Sequence, residues 1–193
     1  MPYMKRSDSR IAVTIDSNVW DLFHKLGVEL SVELPANRFV LGIPRQIEIE
    51  LAAIPDRPDK LALKTYVSRQ MREADIHVSA LFGFAEAAGD PARHGGFGFG
   101  TFQSDDERAY YTAISPQHLI NKPPTGSRLT KNEGDAALGA ASLGSVVLTC
   151  DVKKPGPIRE AVCNHGGKVL DMRQYHVSGL SLATLIERCH NTI

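Results

Sequence analysis

The chain has 193 residues, 22 of them Lys or Arg and 22 Asp or Glu, so its formal net charge is zero; 42% of it is hydrophobic and 23% charged. That size and mixture can bury a core large enough to fold as one domain without disulfide or metal staples, which excludes wholesale disorder. No apolar run approaches 18 residues and the polar first nine residues do not read as a signal peptide, so a cytoplasmic protein with no membrane partner is expected.

In chain order, the β-branched run IAVTI at 11–15 reads as a buried strand. It ends at Asp16-Ser17-Asn18, three residues that favour helix N-termini. A helix follows over 19–26, with Val19, Leu22, Phe23 and Leu26 on one face and Gly27 as its stop. FVLGI at 39–43 reads as a second strand, after which Pro44 opens a helix whose buried face is Ile47, Leu51 and Ile54. Pro55 and Pro58 break it, and 59–74 reads as a longer charged helix with Leu61, Tyr66, Val67 and Met71 toward the core.

A strand is expected at 76–84. The Gly- and Ala-rich stretch 85–101 reads as a loop with a ribbon at 97–102, residues 105–115 as a short helix, and 117–130 as a further loop. Residues 133–143 form a small-residue helix in which Ala137, Gly139 and Ala140 permit close packing. A strong strand at 145–148 runs into Thr149-Cys150-Asp151, followed by a helix at 155–163, a short strand at 168–170 and a terminal helix at 181–190. Strands alternating with helices predict an α/β fold with a central parallel sheet covered on both faces, a three-layer α/β/α sandwich, in one domain over 1–193.

Cys150, Cys163 and Cys189 form no C-x-x-C pair and read as free thiols, small hydrophobes buried in a reducing compartment. The seven histidines are scattered singly, without an HExxH pairing, so zinc is not expected.

The informative pattern is where the acids fall. Asp16 and Asp151 each lie just past the end of a predicted strand, and open parallel sheets bind ligands beyond the carboxyl ends of their strands. Glu48 or Glu50 lies in the first turns of the second helix, and Asp135 in the first turn of the helix before the Asp151 strand. Taken singly, each acid also suits a structural role: Asp16 and Asp135 beside a helix macrodipole, the others on a solvated surface. Brought together without a cation, carboxylates repel and raise one another's pKa. With Mg²⁺ or Mn²⁺ the same cluster becomes a hard-oxygen ligand set suited to phosphodiester hydrolysis.

Four motifs then fall in a known order. Asp16-Ser17-Asn18 follows an apolar strand, Glu50-Leu51 lies in the second helix, Gly134-Asp135-Ala136-Ala137-Leu138 opens a helix, and Thr149-x-Asp151 follows an apolar strand. Together, over residues 11 to about 175, they resemble a PIN domain. The resemblance implies a metal-dependent α/β/α nuclease using Mg²⁺ or Mn²⁺, in a family of mostly ribonucleases that includes VapC-type toxins of toxin–antitoxin pairs. It implies Asp16 and Asp135 as principal metal ligands, Glu50 completing the acidic site directly or through water, and Asp151 holding a metal or its water. Thr149 and Asn18 would hydrogen-bond the acids or the phosphate. Glu48 is the competing choice for the helix-two acid; the family's Glu-Leu pair favours Glu50. Ser17 stands where the family often has Thr.

The implied activity is endonucleolytic cleavage of RNA, leaving 5′-phosphate and 3′-hydroxyl ends. The implied partners are single-stranded RNA, an antitoxin protein for the toxin members, and a second copy of the chain. An insertion around 83–131 departs from a compact PIN domain and leaves the toxin subclass open. The alternative of a different class is a non-catalytic PIN-like module that binds nucleic acid or protein. A haloacid-dehalogenase-like phosphatase is a weaker third reading, because Asn18 stands where that family usually places a second Asp.

Residues 108–132 contain no acid and hold Arg108, Lys122, Arg128 and Lys131, with Tyr110 and Tyr111 beside them. This segment is the expected path of the RNA strand, since Lys and Arg dominate phosphate affinity and aromatic rings stack unpaired bases. The opposing reading is a solvated loop with both tyrosines on the core. Lys153 and Lys154 suit a phosphate contact or an exposed helix lead-in. Arg93, His94 and the GGFGFG run lack the Gly-Lys-Ser/Thr ending of a phosphate loop. With four acids assigned to a metal and the bases gathered elsewhere, zero net charge does not exclude an RNA partner.

Overall fold

The computed structural model describes residues 6–81, 100–119, 129–152 and 155–192. Strand β1 (Ile11–Ile15) leads into helix α1 (Val19–Leu26) and the short helix α2 (Leu30–Glu33). Next come β2 (Phe39–Pro44), α3 (Arg45–Ala52), α4 (Pro58–Glu73) and β3 (His77–Leu81). After β4 (Gly100–Thr101) and α5 (Asp105–His118), the chain forms α6 (Glu133–Ala141), β5 (Val146–Thr149), α7 (Pro157–His165), β6 (Lys168–Asp171), a 3₁₀ turn over Met172–Val177 and α8 (Leu182–Asn191).

The six strands form one sheet in the order β4-β3-β2-β1-β5-β6, and every pairing is parallel. Helices flank the sheet, giving the expected three-layer α/β/α sandwich. Helix α4 packs on α1 and α2; α6 packs on α3, α5 and α7; α8 lies on β1, β5 and β6. Central β5 is buried along its whole length, as a strand covered on both faces must be. Thr14 and Ser145 carry the polar atoms of this interior, and their hydroxyls bond each other at 2.7 Å.

The topology places the site. From β1 the chain works outward through β2, β3 and β4, then returns to the other side of β1 with β5. The direction of winding therefore reverses between β1 and β5, and the crevice beyond their carboxyl ends is the switch point of the sheet. Ile15 stands in register with Leu148, and the Asp16 amide donates to the Leu148 carbonyl at 3.0 Å. The two polar ends, Asp16-Ser17-Asn18 and Thr149-Cys150-Asp151, are thereby set side by side.

Several expectations are corrected. Pro44 ends β2 in an extended conformation instead of opening the helix, and α3 begins at Arg45. Leu61 is 62% exposed: α4 buries Leu63, Tyr66, Val67 and Gln70, a stripe whose helical spacing turns Leu61 outward. On α1, Trp20 is fully buried and Leu26 is exposed, because Val19, Trp20 and Phe23 form the inward arc. Cys163 is exposed and Cys150 and Cys189 are half-buried, so none is a fully buried hydrophobe, although all three are free thiols. Helix α2 and the 3₁₀ turn are too short to show a period in sequence.

The segment read as an insertion contributes β4, which extends the sheet edge beside β3, and α5, which packs on α6 and α7. Helix α5 starts with a capping box: Ser104 Oγ accepts from the Glu107 amide at 3.2 Å, and the Ser104 amide donates to the Glu107 carboxylate at 2.7 Å. The readings placed on Phe84, Arg93, His94, the GGFGFG run, Lys122, Arg128, Lys153 and Lys154 lie wholly or largely outside the described residues. Among the described residues no helix is long and apolar enough to cross a membrane.

Candidate functional site

Asp16 is 4% exposed, an acid sunk into the switch point. Thr149 Oγ1 donates to its Oδ2 at 2.6 Å, and Asn18 Nδ2 donates to the same oxygen at 2.7 Å. Asn18 was expected as a helix cap, but no cap bond forms at the start of α1. Its amide is used across the gap between β1 and β5 instead: Nδ2 holds Asp16 while Oδ1 accepts from the Cys150 amide at 2.9 Å. Thr149 Oγ1 in turn accepts from the Asp151 amide at 3.0 Å. A continuous hydrogen-bonded chain thus links Asp16, Asn18, Thr149 and the backbone at Asp151.

Glu50 joins this group through Ser17. Ser17 Oγ donates to Glu50 Oε2 at 2.6 Å and stands 3.3 Å from Asp16 Oδ1. Glu48, the competing acid, turns elsewhere: it pairs with Arg45 on its own helix and lines a groove toward α4 with Lys64 and Met71. The residue spacing explains the division, because positions 48 and 50 lie about 200° apart on an α-helix.

Asp135 stands in the first turn of α6, where a negative charge suits the helix dipole. The turn comes close to α3 because position 134 is glycine. A Cβ there would stand 2.6 Å from Glu50 Oε1 and 3.4 Å from Ile47 Cδ1. The rest of α6 explains its small residues: a Cβ at Gly139 would lie 1.9 Å from the Tyr110 hydroxyl, which donates to the Pro157 carbonyl at 3.1 Å.

The electrostatics follow from this crowding. Burial pushes the Asp16 carboxyl above its ordinary value, and the hydrogen bonds from Thr149 and Ser17 hold it back. Burial also raises Glu50; the Ser17 hydrogen bond opposes that, while the charges of Asp16, Asp135 and Glu133 raise it further. Three neighbouring acids thus act on the one carboxyl of Glu50. The donors are all hard oxygens, which suit Mg²⁺ or Mn²⁺ and not a soft metal. As the side chains stand, no group of three or more His, Cys, Asp or Glu among the described residues is gathered to hold an ion. Ser17, Asn18 and Thr149 occupy the oxygens of Asp16 and Glu50 instead.

The cationic residues divide. Arg108 lies on α5, 68% exposed and 3.6 Å from Asp105; Lys131 is exposed just before α6. Tyr110 is removed from any role in stacking bases. It is fully buried with Ile114, Ala136 and Ala161, with its ring edge-on to Tyr111 and His165. Tyr111, half-buried, lines a 140 Å³ cavity with Gln46, Ser79 and Thr101 at the carboxyl ends of β2, β3 and β4.

The two larger cavities, 680 and 420 Å³, share Gly27 and Glu29 at the far end of α1 and contain none of the four acids. The chemistry, not the concavity, therefore marks the site. Sequence reading passed over Asp171 and Arg173. The signal was present, since Asp171 ends a strand as Asp16 and Asp151 follow theirs. No family model, no curated protein and no solved structure matches the chain.

Proposed function

We propose that this chain is a metal-dependent endoribonuclease of the PIN type. One observation carries the reading. Asp16 is a buried carboxylate at the switch point of a parallel sheet, held by Thr149 and Asn18, with Glu50 drawn beside it through Ser17. A buried acid costs stability unless something uses its charge. A second acid placed no more than about 6 Å away deepens that cost, and a divalent cation relieves both.

The residues that would hold the ion are Asp16, Glu50, Asp135 and Asp151. When bound, Mg²⁺ or Mn²⁺ would supply charge stabilisation at the scissile phosphate and a more acidic water. The chain's own part is orientation. Thr149 and Asn18 fix one oxygen of Asp16, Ser17 fixes Oε2 of Glu50, and Gly134 lets Oε1 approach the first turn of α6. Arg108 and Lys131, with Lys122 and Arg128, are the proposed backbone contacts for single-stranded RNA. An antitoxin protein and a second copy of the chain complete the set of proposed partners.

The test is cleavage of an end-labelled single-stranded RNA in Mn²⁺ or Mg²⁺ with an EDTA control. Asp16→Asn and Asp135→Asn should each abolish cleavage while keeping the fold. Equal rates in wild type and variants would refute the mechanism. The second reading is a non-catalytic nucleic-acid-binding or protein-interaction module on the same fold, in which Ser17, Asn18 and Thr149 are the structural partners of Asp16 and Glu50. Calorimetric titration separates the two: no Mn²⁺ binding at millimolar concentration selects the module.

A further inference from the structure

Asp171 is the last residue of β6 and stands in register with Thr149, the residue that holds Asp16. Its carboxylate grips Arg173 on three sides. Oδ1 accepts from Arg173 Nε at 2.9 Å and from the Arg173 amide at 3.1 Å, and Oδ2 accepts from Nη2. The guanidinium is half-exposed, and among the described residues its Nη1 bonds to nothing. Cys150 and Asp151 lie within electrostatic reach of it.

This arrangement solves a problem that an acidic rim poses to an anionic substrate. An untethered Lys or Arg beside Asp16 and Asp151 would fold onto those carboxylates and neutralise them. A guanidinium whose Nε edge is already occupied by Asp171 cannot do so, and it still presents Nη1. Arg also matches phosphate in a way that the compact ammonium of Lys does not.

We propose that Arg173, fixed by Asp171, is a phosphate-binding residue of the rim and holds the backbone of single-stranded RNA on the β5–β6 side of the acids. The inference rests on the nuclease reading above. Strand β6 lies two strand spacings, about 10 Å, from β1, so Arg173 meets a phosphate next along the strand and not the one being cleaved. Asp171 is the positioning residue of the pair.

The test uses the full chain, a fluorescein-labelled single-stranded RNA, and KCl from 50 to 200 mM. On an Asp16→Asn background, which prevents cleavage, Arg173→Gln should weaken binding several-fold. It should also lower the slope of log K against log[KCl] by about 0.7, the loss of one phosphate contact on a single strand. Arg173→Lys keeps the charge but loses the Nε edge that Asp171 holds, so it should recover only part of the slope. In the active chain, Arg173→Gln should raise KM with kcat nearly unchanged.

An unchanged salt slope in Arg173→Gln, with wild type binding and cleaving, overturns this inference and leaves the nuclease reading standing. A fall in kcat at constant KM also overturns it. Wild type that neither binds nor cleaves RNA overturns both. Should Arg173→Gln fail to fold, Arg173→Lys decides: a slope and a KM both unchanged from wild type would show that the tethered guanidinium contacts no RNA.

Discussion

Replacing Asp16 by Asn separates a functional acid from a structural one, because the two roles predict opposite signs. The side chain is 4% exposed and accepts two strong hydrogen bonds on Oδ2, from Thr149 and Asn18. An Asn carbonyl can take the place of Oδ2 and keep both, with its NH₂ turned to the Ser17 hydroxyl. Each bond weakens by about 1 kcal/mol when its acceptor loses charge, a cost of about 2 kcal/mol. Against this, Ser17 Oγ stands 3.3 Å from Asp16 Oδ1 and 2.6 Å from Glu50 Oε2, so the two acids are at most about 6 Å apart. Their repulsion at an effective dielectric of about 20 is about 3 kcal/mol, and the desolvation of the Asp16 charge adds to it.

Metal-free Asp16→Asn should therefore be about 1 kcal/mol more stable than wild type at pH 7, a rise of about 2–4 °C in Tm for a chain of this size. Adding Mn²⁺ at tenfold its Kd should stabilise wild type by about 1.4 kcal/mol and the variant hardly at all. The pH dependence has a definite sign. The folded Asp16 carboxyl is raised above its unfolded value of about 3.9, so between the two the folded state holds more protons. Wild-type stability falls as pH rises through that window, and the variant's advantage should be absent near pH 4 and grow toward pH 7. Differential scanning calorimetry in EDTA and in Mn²⁺ measures all three. A variant more than about 2 kcal/mol less stable in EDTA, or one that keeps the full Mn²⁺ shift, would refute the reasoning and make Asp16 structural.

Other expectations rest on single contacts. Gly134→Ala places a methyl 2.6 Å from Glu50 Oε1, and the flexible carboxyl must swing off Ser17. Cleavage should fall at least about tenfold while Tm moves little, since Ala gains about 1 kcal/mol of helix propensity; a large Tm loss with full activity would contradict this. Gly139→Ala meets the Tyr110 hydroxyl at 1.9 Å and should cost about 1–3 kcal/mol in urea unfolding, with activity per folded molecule retained. Thr149→Val removes the strongest bond restraining the Asp16 carboxyl, so that carboxyl should rise further and the acid limb of the rate–pH profile should move to higher pH. An unmoved limb would show that Asp16 does not control it.

The α/β/α architecture was legible because its signal is local. IAVTI, FVLGI and the run before Thr149 are short and apolar, as strands covered on both faces must be, and helices with a period or a stop residue separate them. Asp16 and Asp151 stood out for the same reason, since each follows the end of such a strand, and Asp135 because it opens a helix; Glu50 was preferred to Glu48 only on the resemblance to a Glu-Leu pair.

The tertiary structure decided everything that depends on which elements become neighbours. Only the return of the chain to β5 beside β1 brings Thr149 onto Asp16. Only the packing of α6 on α3 shows that a side chain at position 134 would meet Glu50, and only the helical angle between Glu48 and Glu50 turns one toward Arg45 and the other toward Ser17. Tyr110 was open between stacking bases and packing on the core until the α5–α6–α7 contact buried it, and Asp171 drew no reading until its register with Thr149 set it beside the acids. The physical reason is the range of the forces. Periodicity and end-capping act over a few residues and are written along the chain, whereas carboxylate crowding and side-chain hydrogen bonds act across a few ångströms of space between residues from 33 to 133 positions apart.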